Sequence, residues 1–325
     1  MTFPLIAVLL AVLTGSLLGR SANCLVRRLP PAPAVALLAV ASLAVSLATG
    51  ISLTAIAVAV IAGLTAVAAD GHWSAALVRA QVPMPGWLGV LAALAVLVLL
   101  ARAVRRTVVI ASALVRAEQL CRGLRTGGGP IVIVDDGSAD AFTVAGLRGC
   151  VVISRRLLSE LSADERQVLT AHELSHLNNR HHLYVHVADI AAAANPLLAG
   201  VPAAVRLGVE RWADEDAATG IGSRAVTGRA LARVALLRAA LCRIRPPVAA
   251  GSARSLERVP VLGVGSLQVA HRVQALLAPI PRSRPGRVTA ALVSSIAVLL
   301  ICSASLARIH AAVEAAFRLL QSAGR

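Results

Sequence analysis

The chain has 325 residues, 57% of them hydrophobic and 15% charged, with a mean hydropathy of +0.77; soluble domains carry about 25% charged residues, so a soluble fold is excluded and an integral membrane protein is expected. The formal net charge of +16 comes from arginine without a single lysine, and only 2% of residues are aromatic, so stacking platforms and reading motifs are missing and no nucleic-acid partner is expected. Five cysteines, at 24, 121, 150, 242 and 302, form no CxxC pair, which reads as small buried hydrophobes and predicts no disulfide framework.

Residues 3–18 form an apolar run with no basic segment before it and Arg20 after it, which predicts an uncleaved membrane anchor. Residues 34–69 would extend about 54 Å as one helix, enough for one crossing plus a peripheral stretch, or for two short helices turning at Thr49 and Gly50. Residues 87–101 and 288–306 supply two more runs of spanning length. Arginines gather beside these runs: Arg20, Arg27 and Arg28; Arg102, Arg105, Arg106 and Arg116; Arg282, Arg284 and Arg287. The positive-inside bias puts all three clusters at the cytoplasmic face, against anionic lipid. That requires a single crossing within residues 34–69, an outside N-terminus and a cytoplasmic segment between 107 and 281.

An amphipathic helix over 107–125 is expected to lead off the membrane and to break at Gly127, Gly128, Gly129 and Pro130. Residues 131–134 read as a strand closed by Asp135, Asp136 and Gly137, and 141–145 with 151–154 as a hairpin across 146–149. An edge strand of this small sheet either pairs with an extended peptide or merely covers the next helix, and the sequence leaves both open. That helix starts at a capping box, Ser162 to Glu165, with acids in its first turn. No Pro or Gly interrupts it through Leu183.

The helix carries Ala171-His172-Glu173-Leu174-Ser175-His176, an HExxH motif. Residues four apart share one helical face, so both imidazoles can bind one Zn²⁺ while Glu173 reaches the attacking water as general base. Catalytic zinc takes three protein ligands and keeps one position open. His182 has the spacing of the HExxHxxGxxH class, with Asn179 at the position of the left-handed glycine, but that class needs a Met-turn and the methionines, Met1 and Met84, lie upstream. A carboxylate on a later helix is the alternative. Glu210 offers one, and Asp214, one turn on, can orient a ligand imidazole. Residues 183–209 are apolar but interrupted by Asp189, Asn195-Pro196, Gly200, Pro202 and Arg206; the segment reads either as a membrane hairpin or, preferred because it must return Glu210 to the motif, as two core helices joined at Asn195-Pro196. Residues 220–258 read as a solvated amphipathic helix and a linker. His181, His182 and His186 are expected on the surface or behind the ligands, Arg272 is expected to be structural, and Glu215 and Asp216 to need no role.

HELSHLNNRHH (172–182), NPLL (195–198) and ERWADEDA (210–217), preceded by AFTVAG (141–146) and the run VVISRRLLSELSADERQVLTAHE (151–173), resemble membrane-embedded gluzincin metallopeptidases: the HtpX/CAAX-protease type and, closer, the BlaR/MecR-type antirepressor peptidases. The resemblance is good over 126–218 and weak over 269–277. It implies His172, His176 and Glu210 as ligands of one Zn²⁺ per chain, Glu173 as catalytic base and Asp214 behind the ligands. Without an SxxK motif, a built-in β-lactam sensor is not expected. The fold expected is mostly α, with polytopic membrane helices and an α+β gluzincin-like zinc metallopeptidase domain bearing a small sheet. Its parts would be an N-terminal transmembrane region (1–106), the metallopeptidase domain (107–281) and a C-terminal transmembrane helix with a short tail (282–325). The expected function is membrane-bound zinc-dependent endoproteolysis in the plasma membrane of a bacterium, with the lipid bilayer as surroundings, a repressor-type regulator or membrane protein as substrate, and a separate sensor protein as a further partner. The alternative is a regulatory scaffold or signal-relay subunit whose zinc site is vestigial or structural.

Overall fold

Among the described residues, three helices are long and apolar enough to cross a membrane: α1 (Phe3–Arg28), α2 (Pro31–Ala62) and α5 (Gly86–Leu124). The computed structural model describes residues 3–81, 83–125, 129–135, 140–146, 149–244 and 266–279, with positions 307 and 311. The expected C-terminal span at 288–306, the linker at 251–265 and the turn residues Asp136 and Gly137 lie outside the described residues.

Helices α1 and α2 meet at Leu29 and Pro30, and proline at the start of α2 suits a position whose N–H needs no intrahelical acceptor. No charged side chain interrupts α2. Its buried hydroxyls are satisfied locally: Ser42 donates to Ala39 O (2.9 Å), Thr49 to Val45 O (2.9 Å) and Ser52 to Ala48 O (2.8 Å), which lets them persist among apolar neighbours. Residues 34–62 thus form one helix without a turn at Gly50. Two short helices, α3 (Thr65–Gly71) and α4 (Ala75–Gln81), connect α2 to α5. Helix α5 runs unbroken through Arg102–Arg106, so the span expected at 87–101 and the amphipathic helix expected at 107–125 are a single rod.

Beyond α5 lie β1 (Ile131–Val134), β2 (Ala141–Val144) and β3 (Cys150–Ser154), in the order β1-β3-β2. Strand β3 is central and fully buried, parallel to β1 and antiparallel to β2, with Thr143 opposite Val151. On one face, Val144, Cys150 and Val152 pack against Ala117 and Cys121 of α5. On the other, Ala141, Val151 and Ile153 pack with Leu157, of the short α6 (Arg155–Ser159), and with Leu161 and Leu169. Cys121 and Cys150 are joined as a disulfide with Cα atoms 5.8 Å apart, which corrects the expectation of no pairing. The two lie 29 residues apart, and the packing of the α5 end onto the sheet is what brings them together.

The motif helix, α7 (Ala163–Asn178), stops short of Leu183. Its chain reverses through Arg180, a non-glycine residue in the left-handed region (φ 50°), while Asn179, at the glycine position of the HExxHxxGxxH class set aside above, has φ −87°. Helices α8 (His181–Ala194) and α9 (Val201–Ile221) follow, joined at Asn195-Pro196 by a 3-10 turn, Pro196–Leu198. The two helices expected here are present, but they form a hairpin packed on the membrane-length helices. Val185, Ala188, Ala191, Leu198, Val201, Ala204 and Val205 are buried with Val26 of α1 and with Val35, Leu38 and Val45 of α2. Asn195 at the tip donates to Thr49 Oγ1 (3.0 Å), and Ser46 donates to Ala191 O (2.8 Å). A Cβ on Gly208 would collide with Val26 and Val35, so this glycine permits the close crossing of α9 over α1 and α2. Asp189 takes Arg106 of α5 (2.5 Å) and Arg206 of α9 (2.8 Å), tying the third long helix to the hairpin.

Helix α10 (Arg224–Ile244) begins after Gly222, whose left-handed φ of 77° ends α9. It is not solvated all round: Thr227, Ala230, Leu231 and Val234 are buried, two of them beside Leu276 of α11 (Ser266–Leu277).

Candidate active site

The site is assembled from four helices and one strand. The capping box at the start of α7 is formed in full, with Ser162 N donating to Glu165 Oε2 (2.9 Å) and Glu165 N to Ser162 Oγ (3.3 Å). That start fixes the helical phase, so His172 and His176 emerge on one face with Nε2 atoms 3.3 Å apart. Helix α9 brings Glu210 back over them: its Oε2 is 3.7 Å from His172 Nε2 and its Oε1 3.6 Å from His176 Nε2. All three side chains are buried. Asp214, one turn along α9, lies behind the group, with Oδ1 3.1 Å from His172 Nδ1.

Three further residues complete the surroundings: Arg272 and His181, each weighed in the sequence, and Thr143, which the sequence does not single out. Arg272 of α11, expected to be structural, holds both acids: Nε donates to Asp214 Oδ2 (2.7 Å), Nη2 to Asp214 Oδ1 (2.5 Å) and Nη1 faces Glu210 Oε2 (2.8 Å). Thr143 of β2 has its hydroxyl 2.9 Å from both the carboxylate and the main-chain oxygen of Glu173. His181, wholly buried, has Nδ1 2.9 Å from His176 Nδ1. His182 stands apart from the three-residue group, with its ring near that of His186. Glu215 and Asp216, expected to need no role, each have one: Glu215 pairs with Arg224 (2.5 Å), and Asp216 accepts from Ser175 (2.6 Å) and Asn179 (2.8 Å), binding the end of α7 to α9.

Burial and these neighbours push the site's protonation states apart. Burial works against a charge on His172, but Asp214 and Glu210 outweigh it and raise its pKa to about 9. Burial pushes His176 down to about 4, with the neighbouring His172 and Arg272 adding to the effect. Burial would raise Glu210, yet Arg272 and the two imidazoles bring it down to about 2; Asp214 is lowered in the same way. Glu173 is raised by burial, against the pull of His172 and the Thr143 hydroxyl, a shift in the direction a general base working near neutral pH needs.

The donor set fits a zinc ion. Ligand atoms bound at about 2.0–2.2 Å in a tetrahedron sit roughly 3.3–3.6 Å from one another; here the two Nε2 atoms are 3.3 Å apart and each faces a different oxygen of the Glu210 carboxylate, at 3.7 and 3.6 Å, with one donor atom from each residue within 4.8 Å of the others. Two buried carboxylates, Glu210 and Asp214, face the single guanidinium of Arg272, so the pocket favours a further positive charge. A metal at this position would compete with the proton that Asp214 and Glu210 favour on His172.

Residues 115–245 match the family model of Peptidase family M48. The match runs from the end of α5 through the sheet, the motif helix and the α8–α9 hairpin to α10, and therefore includes every residue of the His172, His176 and Glu210 group. It supports a metallopeptidase. Neither a curated protein nor a solved structure matches the chain.

Proposed function

We propose that the protein is a membrane-bound zinc-dependent endopeptidase acting on a protein substrate, with His172, His176 and Glu210 holding the metal, Glu173 as base and Asp214 orienting His172. The carrying observation is the buried group of two imidazoles and one carboxylate whose ligand atoms lie within 4.8 Å of one another, beside a second carboxylate, Glu173, that is not part of it. When bound, zinc supplies a water of lowered pKa and polarises the scissile carbonyl. Glu173 takes the proton of the attacking water and delivers it to the leaving amine. Its carboxylate is aimed by the Thr143 hydroxyl, while β2, beyond whose free edge no strand is described, offers main-chain groups to an extended peptide. A scaffold with a purely structural metal would fill all four positions with protein ligands and would have no use for Glu173.

The resemblance to antirepressor and HtpX-type peptidases supports a repressor-type regulator or a membrane protein as substrate, and a separate sensor protein as the source of a signal. The arginine clusters support a cytoplasmic catalytic domain in a bacterial plasma membrane; the 1–106, 107–281 and 282–325 division stays a proposal, with α5 running unbroken from the first part into the second. The Cys121–Cys150 disulfide favours a second topology, an outward-facing domain, because such bonds persist in oxidising compartments. A reporter fused at Gly251 separates the two: β-galactosidase activity supports the cytoplasmic reading and alkaline phosphatase activity reverses it. The activity itself is tested with full-length protein in detergent. One zinc per chain and chelator-sensitive casein cleavage are expected, and Glu173→Gln should retain the zinc while losing about 10²–10⁴-fold in rate. Cleavage by the Gln variant at the wild-type rate would overturn the assignment.

A further inference from the structure

A ligand imidazole is only as well placed as the group that holds its other nitrogen. For His172 the group facing that nitrogen is Asp214, with Oδ1 3.1 Å from Nδ1, although Nδ1 meets no partner in hydrogen-bond geometry among the described residues. His176 has no carboxylate in that place among the described residues; its Nδ1 faces Nδ1 of His181, at 2.9 Å, with the two rings nearly perpendicular (85°). Three independent features mark His181 as built for this contact. It is fully buried, at 0% exposure, at the first position of α8. The residue before it, Arg180, adopts the left-handed conformation that L side chains adopt only at a cost, and that turn brings the first residue of α8 back beneath the motif helix. Trp212 of α9 then covers the imidazole, with ring centroids 4.7 Å apart.

Hydrogen bonding fixes the tautomers in sequence. His176 turns Nε2 towards Glu210 and His172, so a metal there takes the Nε2 lone pair and leaves the proton on Nδ1. That N–H donates to His181 Nδ1, which must be unprotonated, and the proton of His181 must then sit on Nε2. His181 Nε2 is buried and has no hydrogen-bond partner among the described residues. A buried donor without an acceptor destabilises a fold, and an apolar side chain of similar size would avoid the penalty.

We infer that His181 is the positioning residue for the second metal ligand, accepting the Nδ1 proton of His176 and so coupling the metal site to the helix that packs on the membrane-length bundle. This inference rests on the zinc-peptidase reading above. Because α8 continues from His181 to Ala191 and Ala194 between α2 and α5, the orientation of one ligand is set by the seating of the hairpin among those helices. Asp214 supplies the same service to His172 from α9, so the two ligands are held by different helices.

The test is Zn²⁺ affinity, measured by chelator competition on the full chain in detergent, with melting of the metal-free protein alongside. His181→Phe removes the acceptor and the unpartnered donor together; zinc binding should weaken about 10–100-fold while the metal-free protein melts no lower than wild type. His181→Asn, whose side-chain oxygen can accept from His176, should bind zinc within a few-fold of wild type. Should the Phe ring not fit, His181→Leu, likewise without an acceptor, takes its place. His182→Phe, one residue away and outside the site, should leave affinity unchanged. Unchanged affinity in the Phe or Leu variant, or an Asn variant as weak as they are, would overturn the proposal. A wild-type protein that binds no zinc would instead overturn the peptidase reading on which it rests.

Discussion

The two ends of the α8–α9 hairpin are made from the same pair of helices and are held by opposite means. At the tip, Ala188, Ala191, Leu198, Val201 and Val205 are buried against α1 and α2 with only a few hydrogen bonds across the boundary. At the base, His181, Glu210, Arg211 and Asp214 are just as buried but charged or polar, and each persists only because a specific neighbour answers it. Arg211, for instance, donates to the Val26 carbonyl near the end of α1. Apolar packing is non-directional and tolerates exchanges that keep volume, whereas removal of one member of a buried charge pair leaves the other uncompensated. Single substitutions should therefore cost little at the tip and much at the base.

The sharpest break is at the ligand itself. Glu210→Ala should weaken zinc binding by more than the 10–100-fold typical of groups behind a ligand, and His182→Ala should leave it intact; elemental analysis of both purified variants decides, and zinc loss confined to His182→Ala would reverse the choice of third ligand. Next is Arg272→Ala, which strands Asp214 and Glu210 in a buried site and should destabilise the metal-free protein by about 3–5 kcal/mol. Adding Asp214→Asn should recover part of that loss in thermal melts, and no recovery would mean that the pair acts independently.

Acidification should separate base from tip more gently. Burial lowers His176 to about 4, His181 to about 3 and His182 to about 4, each from an ordinary 6.5. The unfolded chain thus binds protons that the folded one refuses, so the stability contributed by their neutrality is present above pH 6.5 and is lost as pH falls towards 4. His172 runs the other way: raised to about 9, its contribution is complete below pH 6.5 and is lost as pH rises through 9. The melting temperature of the chelated protein should therefore fall on both sides of neutrality, and a flat profile from 4 to 6.5 would contradict the buried-neutral histidines. The smallest effect belongs to the tip: Ser46→Ala, which deletes a hydrogen bond to Ala191 O, should cost about 0.6 kcal/mol in a refolding titration, and a cost of several kcal/mol would erase the contrast.

The features legible in the sequence were those encoded within one or two turns of a helix. The capping box fixes the phase of α7, the i, i+4 spacing puts His172 and His176 together, and the Glu210 and Asp214 spacing puts two carboxylates on one face of α9. Features that depend on one element meeting another were not legible. Thr143 reaches Glu173 only because the register of β2 on β3 turns it towards α7, and Cys121 meets Cys150 only because α5 lies flat on the sheet. Nothing in Asn179 or Arg180 announces which of them turns left-handed; asparagine is the better tolerated there, yet arginine does it. Arg272 carries no local signal, since its value lies wholly in two acids more than 50 residues away.

The segment that matches a peptidase family begins at residue 115, but the hairpin inside it lies among α1 and α2. Cutting the chain at that point would lay bare Val185, Leu198, Val201 and Val205 along with the Asn195 amide, all of which depend on residues 22–49 for cover. The matched segment is therefore smaller than the cooperative unit: a fragment trimmed to the matched residues should aggregate or open locally at the hairpin, loosening the two helices that carry His181 and Glu210.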